Sequence, residues 1–153
     1  MKERYKSKIA VYLLLIRNED NKTEILLQKR YNTGYMDGFY DMACSGHVEK
    51  GESLADAIIR ESYEEIGIKI DKEDLEFVNL LHRFNDDYIN VFFKAKKYIG
   101  TPKIMEPNKC DDLNWFDINN LPDNVIPNNR KVIECIKKGI LYEDGDFDNL
   151  NRN

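Results

Sequence analysis

Cysteine is scarce in this chain and poorly placed for either of its structural uses. Cys44, Cys110 and Cys135 are three in number and irregularly spaced. They make no zinc pattern and suit a reducing compartment better than a disulfide scaffold. Long apolar runs are missing as well. The run IAVYLLLI, Ile9 to Ile16, is eight residues long, against the roughly 20 that a membrane-spanning helix needs. It follows a charged MKERYKSK and shows no signal-peptide cleavage site, so a strand is the better reading. Nor is there a basic excess. Twenty-three Lys and Arg face 28 Asp and Glu, a net charge of −5 with a pI near 5.2, which argues against a nucleic-acid backbone binder. Internal repeats and a second compositional regime are also absent. The expectation is one domain over residues 1–153, cytoplasmic, with no membrane and no nucleic-acid partner, and with 42% apolar residues to build a single core.

What the chain does have is an ordered alternation of strand and helix signals. Apolar, β-favouring runs from about Lys8 to Arg17 and from about Glu24 to Arg30 flank the turn cluster NEDNK; they predict a hairpin or adjacent strands. A glycine-punctuated aromatic stretch follows, reading as a loop and a short strand that delivers Gly46. Ser53, with Asp56 three positions on, has the spacing of an N-cap with its acidic partner. A helix running to about Ile66 and closed by Gly67 fits the C-cap rule, with Ala55, Ile58, Ile59, Ser62 and Ile66 sharing its apolar stripe. Leu75 to Phe84 and Tyr88 to Lys96 predict a second strand pair turning at Asn85-Asp86-Asp87. A loop over Pro102–Asp111 leads to a short strand over Asp112–Phe116. Pro122 and Pro127 punctuate a connector, Asn128-Asn129 can cap a last amphipathic helix through Val132, Ile133, Ile136 and Ile140, and the acidic tail from about Glu143 reads as a frayed end. Such an order suits a mixed sheet with helices on both faces.

Between Gly46 and Ile68 the sequence is GHVEKGESLADAIIRESYEEIGI. Glu61, Glu64 and Glu65 lie at i, i+3 and i+4 on the predicted helix, a neighbouring carboxylate patch. Like charges at these spacings cost roughly 0.2–0.5 kcal/mol per pair, and acids in the last turns oppose the helix dipole. Within the predicted helix, which closes at Gly67, no Lys or Arg lies three or four residues downstream to offset them. A hard divalent cation would neutralise the cluster, and carboxylates joined by substrate phosphates are what Mg²⁺ prefers.

The spacing Gly46, Glu52, Arg60-Glu61, Glu64-Glu65, Gly67-Ile68 resembles the signature of the Nudix hydrolases. Every invariant position matches, and Ser62 stands where the pattern asks for a bulky apolar residue. The resemblance implies an α/β/α sandwich over nearly the whole chain, hydrolysis of a diphosphate linkage in a small-molecule nucleotide, Mg²⁺ or Mn²⁺ as cofactor, and a homodimer as a family-level expectation. Carried over by motif position, Glu61, Glu65 and Glu64 become metal or metal-water ligands, with the Gly46 carbonyl beside them. Arg60 would pair with a carboxylate such as Glu52 and orient it, while Glu52 divides between a supporting catalytic role and a plain helix-terminal charge.

The general base is open between a helix glutamate and an acid of the loop IMEPNKCDDLNWF, which offers Glu106, Asp111 and Asp112. That loop resembles a segment of MutT-like nucleoside triphosphate diphosphatases, which brings Glu106 forward as a catalytic candidate. Lys109, His47 and His82-Arg83 are each weighed between phosphate contact and structure, and Tyr35, Phe39 and Tyr40 between base stacking and packing. The words YDMACSGH before the box lack the Pro-Gly of many nucleotide-cleaning relatives and are closer to isoprenyl-diphosphate isomerase-like members. Nucleoside or deoxynucleoside triphosphates lead as substrates. The alternatives are ADP-ribose or another nucleotide sugar, an isomerase-like activity, and a non-catalytic nucleotide sensor.

Overall fold

The computed structural model describes residues 2–148. Strand β1 (Lys8–Leu14) runs parallel to β7 (Tyr88–Ala95) and antiparallel to β5 (Cys44–His47); β7 pairs with β6 (Leu75–Arg83), and β6 with β9 (Tyr142–Asp144), giving the order β5-β1-β7-β6-β9. A four-stranded sheet is built around β3 (Lys22–Arg30), which pairs with β2 (Ile16–Glu19), β4 (Tyr40–Met42) and β8 (Cys110–Asp117).

Side chains alternate along a strand, so each strand feeds two cores. Val11 and Leu13 of β1 pack with Ala57, Ile58 and Ile66 of helix α1 (Leu54–Ile66). On the opposite face Tyr12 and Leu14 join Val132 and Ile133 of helix α2 (Pro127–Lys137). The same alternation sends Leu26 to the first core and Ile25 and Leu27 to the second. The mixed sheets are therefore covered by helices on opposite faces, as the strand–helix order predicts.

Several local expectations are corrected. The apolar run read as one strand from Lys8 to Arg17 is two. The chain changes sheets at Leu15, whose carbonyl accepts from Leu26 N at 3.0 Å. The hairpin is β2–β3, turning at Asp20-Asn21 with φ of 51° and 63°, the left-handed pair that a two-residue turn demands. A run buried on both faces has no polar beat to mark the break. In α1 the buried stripe takes Ala57 in place of Ala55, and Ser62 is fully buried because its hydroxyl donates to Ile58 O at 2.6 Å.

Strand β8 is longer than expected, since pairing along β3 draws in Cys110 and Asp111. Asn128 and Asn129 lie inside α2, not at its cap. Pro127 takes the first turn, where its missing N–H costs nothing, and Ile140 lies beyond the helix. The tail is ordered to Asp148: β9 adds to β6, and Leu80 N and Gly145 N close hydrogen bonds to Leu141 O and His82 O. The rest of the expected fray, residues 149–153, lies outside the described residues.

Candidate active site

Helix α1 begins where Ser53 Oγ accepts from Asp56 N at 3.0 Å and ends at Gly67, φ 73°. Those two caps fix which side chains face the groove between the sheets. The last carbonyls of the helix are then used by the 101–109 segment: Lys103 N donates to Ile66 O and Met105 N to Glu65 O. The loop carrying Glu106 is thereby tied to the end of the helix that carries Glu61 and Glu65.

The groove is a cleft of about 830 Å³. Gly46, Glu61, Glu65, Glu106 and Lys109 line one part of it; Tyr12, Arg83, Asn90, Asn128 and Asn129 line another. A Cβ at position 46 would overlap the Glu61 carboxyl, so glycine is what lets that carboxylate lie against the backbone of β5. Glu65 accepts from Ser45 N at 3.0 Å, and Gln28 Nε2 lies at 3.5 Å from the same oxygen. Burial pushes its pKa up to about 7, against the opposing hydrogen bonds from Cys44 and Ser45. Burial raises Glu61 too, with Arg60 pulling the other way.

Arg60 holds this arrangement from behind. Its Nε and Nη2 grip Glu52 at 2.7 and 3.0 Å, and its Nη1 reaches Glu61 at 2.8 Å and Glu64 at 3.3 Å. A planar, bidentate fork of this kind orients as well as binds. The Arg60 hydrogen bonds are the main cause of a Glu52 pKa near 2. Glu64 does not line the cleft; it is half exposed, 52% by side chain, and touches Arg60 from outside.

Of the loop acids, Glu106 reaches the cleft, with Lys109 Nζ 3.8 Å away. Asp111 faces Lys29 at 3.8 Å, and Asp112 accepts from the Tyr40 hydroxyl; neither lines the cleft. His47 sits at the rim, stacked on Tyr88 with ring centroids 5.8 Å apart. His82 pairs with Tyr5 away from the cleft, whereas Arg83 lines it. Tyr35 lines it too, but Phe39 and Tyr40 do not.

Sequence reasoning missed Asp41. It is 2% exposed and accepts from Arg30 Nη1, Ser45 Oγ, Met42 N and Asn129 Nδ2 at 2.6–3.0 Å. It also missed Asn90, 1% exposed on β7. The available signal was a polar residue on the apolar beat of a strand, Asp41 before Met42 and Asn90 two places before Phe92.

The NUDIX domain model matches residues 6–135. The chain belongs to the Nudix family. Among its relatives, the 8-oxo-dGTP diphosphatase of Escherichia coli is 29% identical over 132 residues, 86% of this chain and 98% of that protein. The NAD-capped RNA hydrolase NudC of Pseudomonas putida is 28% identical over 99 residues, 65% of this chain and 34% of that protein; the chain spans about a third of that relative's length. A MutT Nudix hydrolase from Burkholderia pseudomallei has the same fold, with a TM-score of 0.73 at 22% identity over 84% of this chain and 97% of that one. In Nudix terms, Gly46 to Ile68 is the signature segment; its Gly46, Glu61 and Glu65 meet at one wall of the cleft, with Arg60 bound to Glu61 behind them.

Proposed function

We propose that the chain is a divalent-metal-dependent pyrophosphohydrolase that cleaves a diphosphate linkage in a nucleotide. Nucleoside and deoxynucleoside triphosphates are its leading substrates, giving a monophosphate and pyrophosphate. The observation that carries this reading is the seating of Glu61 against Gly46 and of Glu65 on Ser45 N in the cleft, with Arg60 fixing Glu61 from behind. The near end-to-end match to the E. coli 8-oxo-dGTP diphosphatase favours triphosphates, oxidised purines among them, over the longer nucleotide-cleaving relatives.

The donor set fits a hard cation. Its atoms are oxygens, partial burial raises the pKa of both carboxylates, and glycine at position 46 lets the Glu61 carboxyl lie against the backbone of β5. Glu61, Glu65 and the Gly46 carbonyl would hold Mg²⁺, with Mn²⁺ as a substitute, and Glu64 would contribute from the outside through Arg60 or a bound water. When bound, the ion neutralises phosphoryl oxygens and lowers the pKa of water.

The protein's own residues do the rest. Arg60 keeps Glu61 in one orientation and Glu52 keeps Arg60. Glu106, which lines the cleft on the loop tied to α1, would take a proton at its carboxylate from the attacking water. Lys109, which lines the cleft 3.8 Å from Glu106, would meet a phosphate oxygen. A sensor without activity can afford to lose the signature carboxylates, and this chain retains all of them. The free cysteines agree with a cytoplasmic setting, and a homodimer is the family-level expectation for sedimentation to test. A purified-protein screen over triphosphates, nucleotide sugars and dinucleotides with Mg²⁺ or Mn²⁺ is expected to release pyrophosphate from a triphosphate. Product release from nucleotide sugars alone would replace the leading substrate class, and no release from any of them would overturn the hydrolase reading.

A further inference from the structure

The cleft continues past the glutamates to the N-terminus of α2, where Ile126, Asn128 and Asn129 line it. An open helix N-terminus is an anion seat, because free N–H groups and the helix dipole point outward there. This one is already filled from within the chain. Asn128 N donates to Asp148 Oδ1 at 2.8 Å, and the other Asp148 oxygen takes the Tyr35 hydroxyl. The N-cap residue, Ile126, has no side chain able to do this, so the tail supplies the cap.

The cations nearby are committed too. Arg30 is bound to buried Asp41 at 3.0 Å, and Arg83 to Asp86 at 2.8 Å and Asp146 at 3.3 Å. An incoming phosphate or carboxylate would meet the carboxylates of Asp41 and Asp148, while Arg30 is already paired with Asp41 and the Nη2 of Arg83 with Asp86 and Asp146; like-charge juxtaposition is an effective means of rejection.

Two groups at this end do wait for a partner. Asn90 Oδ1 and Arg83 Nε are buried and make no hydrogen bond among the described residues; Asn90 is 1% and Arg83 6% exposed, and both residues line the cleft. They lie on the α2-facing side of adjacent strands, β7 and β6. An unpaired acceptor and an unpaired donor suit an uncharged group that carries both an N–H and a carbonyl oxygen. A fully ionised phosphate has no donor for Asn90.

We propose that Asp148 is a specificity-determining residue: by occupying the N-terminus of α2 it closes the inner cleft to anions, so that the group seated opposite the scissile diphosphate is an uncharged, amide-like ring. The proposal rests on the hydrolase reading only for the identity of the molecule that enters.

Its first test needs no turnover. Sodium sulfate is titrated into the metal-free protein while backbone amides are followed by heteronuclear NMR. The Asn128 amide is expected to stay put in the wild type and to shift saturably in Asp148→Ala. Tyr35→Phe, which removes the phenol and leaves the carboxylate on the helix, is expected to behave as the wild type. Asp148→Asn, which keeps the shape and removes the charge, stands in if the alanine variant does not fold, with the same shift expected. A saturable shift in the wild type, none in the folded Asp148 variant, or one in Tyr35→Phe would overturn the proposal.

The second test compares uridine monophosphate with orotidine monophosphate, which differ by one ring carboxylate, by calorimetry with Mg²⁺. The wild type should prefer the uncharged ring by about tenfold or more, and Asp148→Asn by less than about threefold. Equal affinities in the wild type, or an unchanged gap in the variant, would count against Asp148. If the wild type binds neither nucleotide and hydrolyses nothing, the hydrolase reading fails and the sulfate titration alone decides this one.

Discussion

At the scale of single residues, the site is a set of carboxylates placed where burial opposes their charge. Glu61 and Glu65 should each lose at least about a hundredfold in turnover as glutamine, because each substitution removes an anionic ligand from electrostatic catalysis. Near-wild-type turnover of both at saturating Mg²⁺, with unchanged circular dichroism, would sink the metal assignment. Glu65 also makes a prediction without metal. Its folded-state pKa of about 7 lies above the ordinary 4.5, so the folded protein keeps a proton that the unfolded chain releases. That contribution is complete below the ordinary carboxylate range and is lost as pH rises through 7. Metal-free Glu65→Gln should therefore melt above the metal-free wild type near pH 8, with the gap closing near about pH 5; a variant that melts lower at the higher pH would contradict this. Glu106→Gln tests the base. It should lower kcat by about 10²–10⁴-fold with little change in KM, and a loss below about fivefold would return Glu106 to a charged turn. The signature residues were legible because their chemistry is written at fixed spacing along one helix. Asp41 and Asn90 were not, because Asp41's partner Asn129 and the cleft that Asn90 lines are brought together only by the fold.

At the scale of elements, what is local was readable and what is shared was not. The caps of α1 depend on residues three or four apart, so Ser53, Asp56 and Gly67 announced the helix at both ends. Ser53→Ala should destabilise the protein by about 1 kcal/mol in urea, and an unchanged midpoint would show the cap to be redundant. α2 misled because asparagine has the same local look at a helix cap and on a pocket wall. The distinction rests on Asp41 and Asp146, which take the two amide groups. Pro127 was the better marker, since proline at the first helical position is pre-set for φ and loses no hydrogen bond. Likewise the change of sheet at Leu15 falls within an unbroken apolar run, where periodicity is silent.

At the scale of the whole molecule, the cleft exists because one chain builds two sheets and then returns to close its far end. The return is the tail, which composition alone made look like a fray: acidic and asparagine-rich, with few apolar residues. Its order comes from pairing. β9 completes the edge of β6, Asp146 meets Arg83 and Asn128, and Asp148 meets Tyr35 and α2. Ending the chain after Leu141 would strip Arg83 of Asp146 while leaving its guanidinium buried with Asp86 alone. Removing one partner of a buried ion pair costs about 3–5 kcal/mol, and the remaining Asp86 contact should reduce that to about 2 kcal/mol or more. The truncated protein should thus unfold at a clearly lower urea concentration. Its cleft, open at the inner end, should show a raised KM with kcat largely kept, because Glu61, Glu65 and Glu106 lie at the other end and depend on α1. An unchanged urea midpoint would show that the tail contributes no stability, and a collapse of kcat with KM unchanged would mean that it supports the chemistry itself instead of the seat for the substrate's uncharged end.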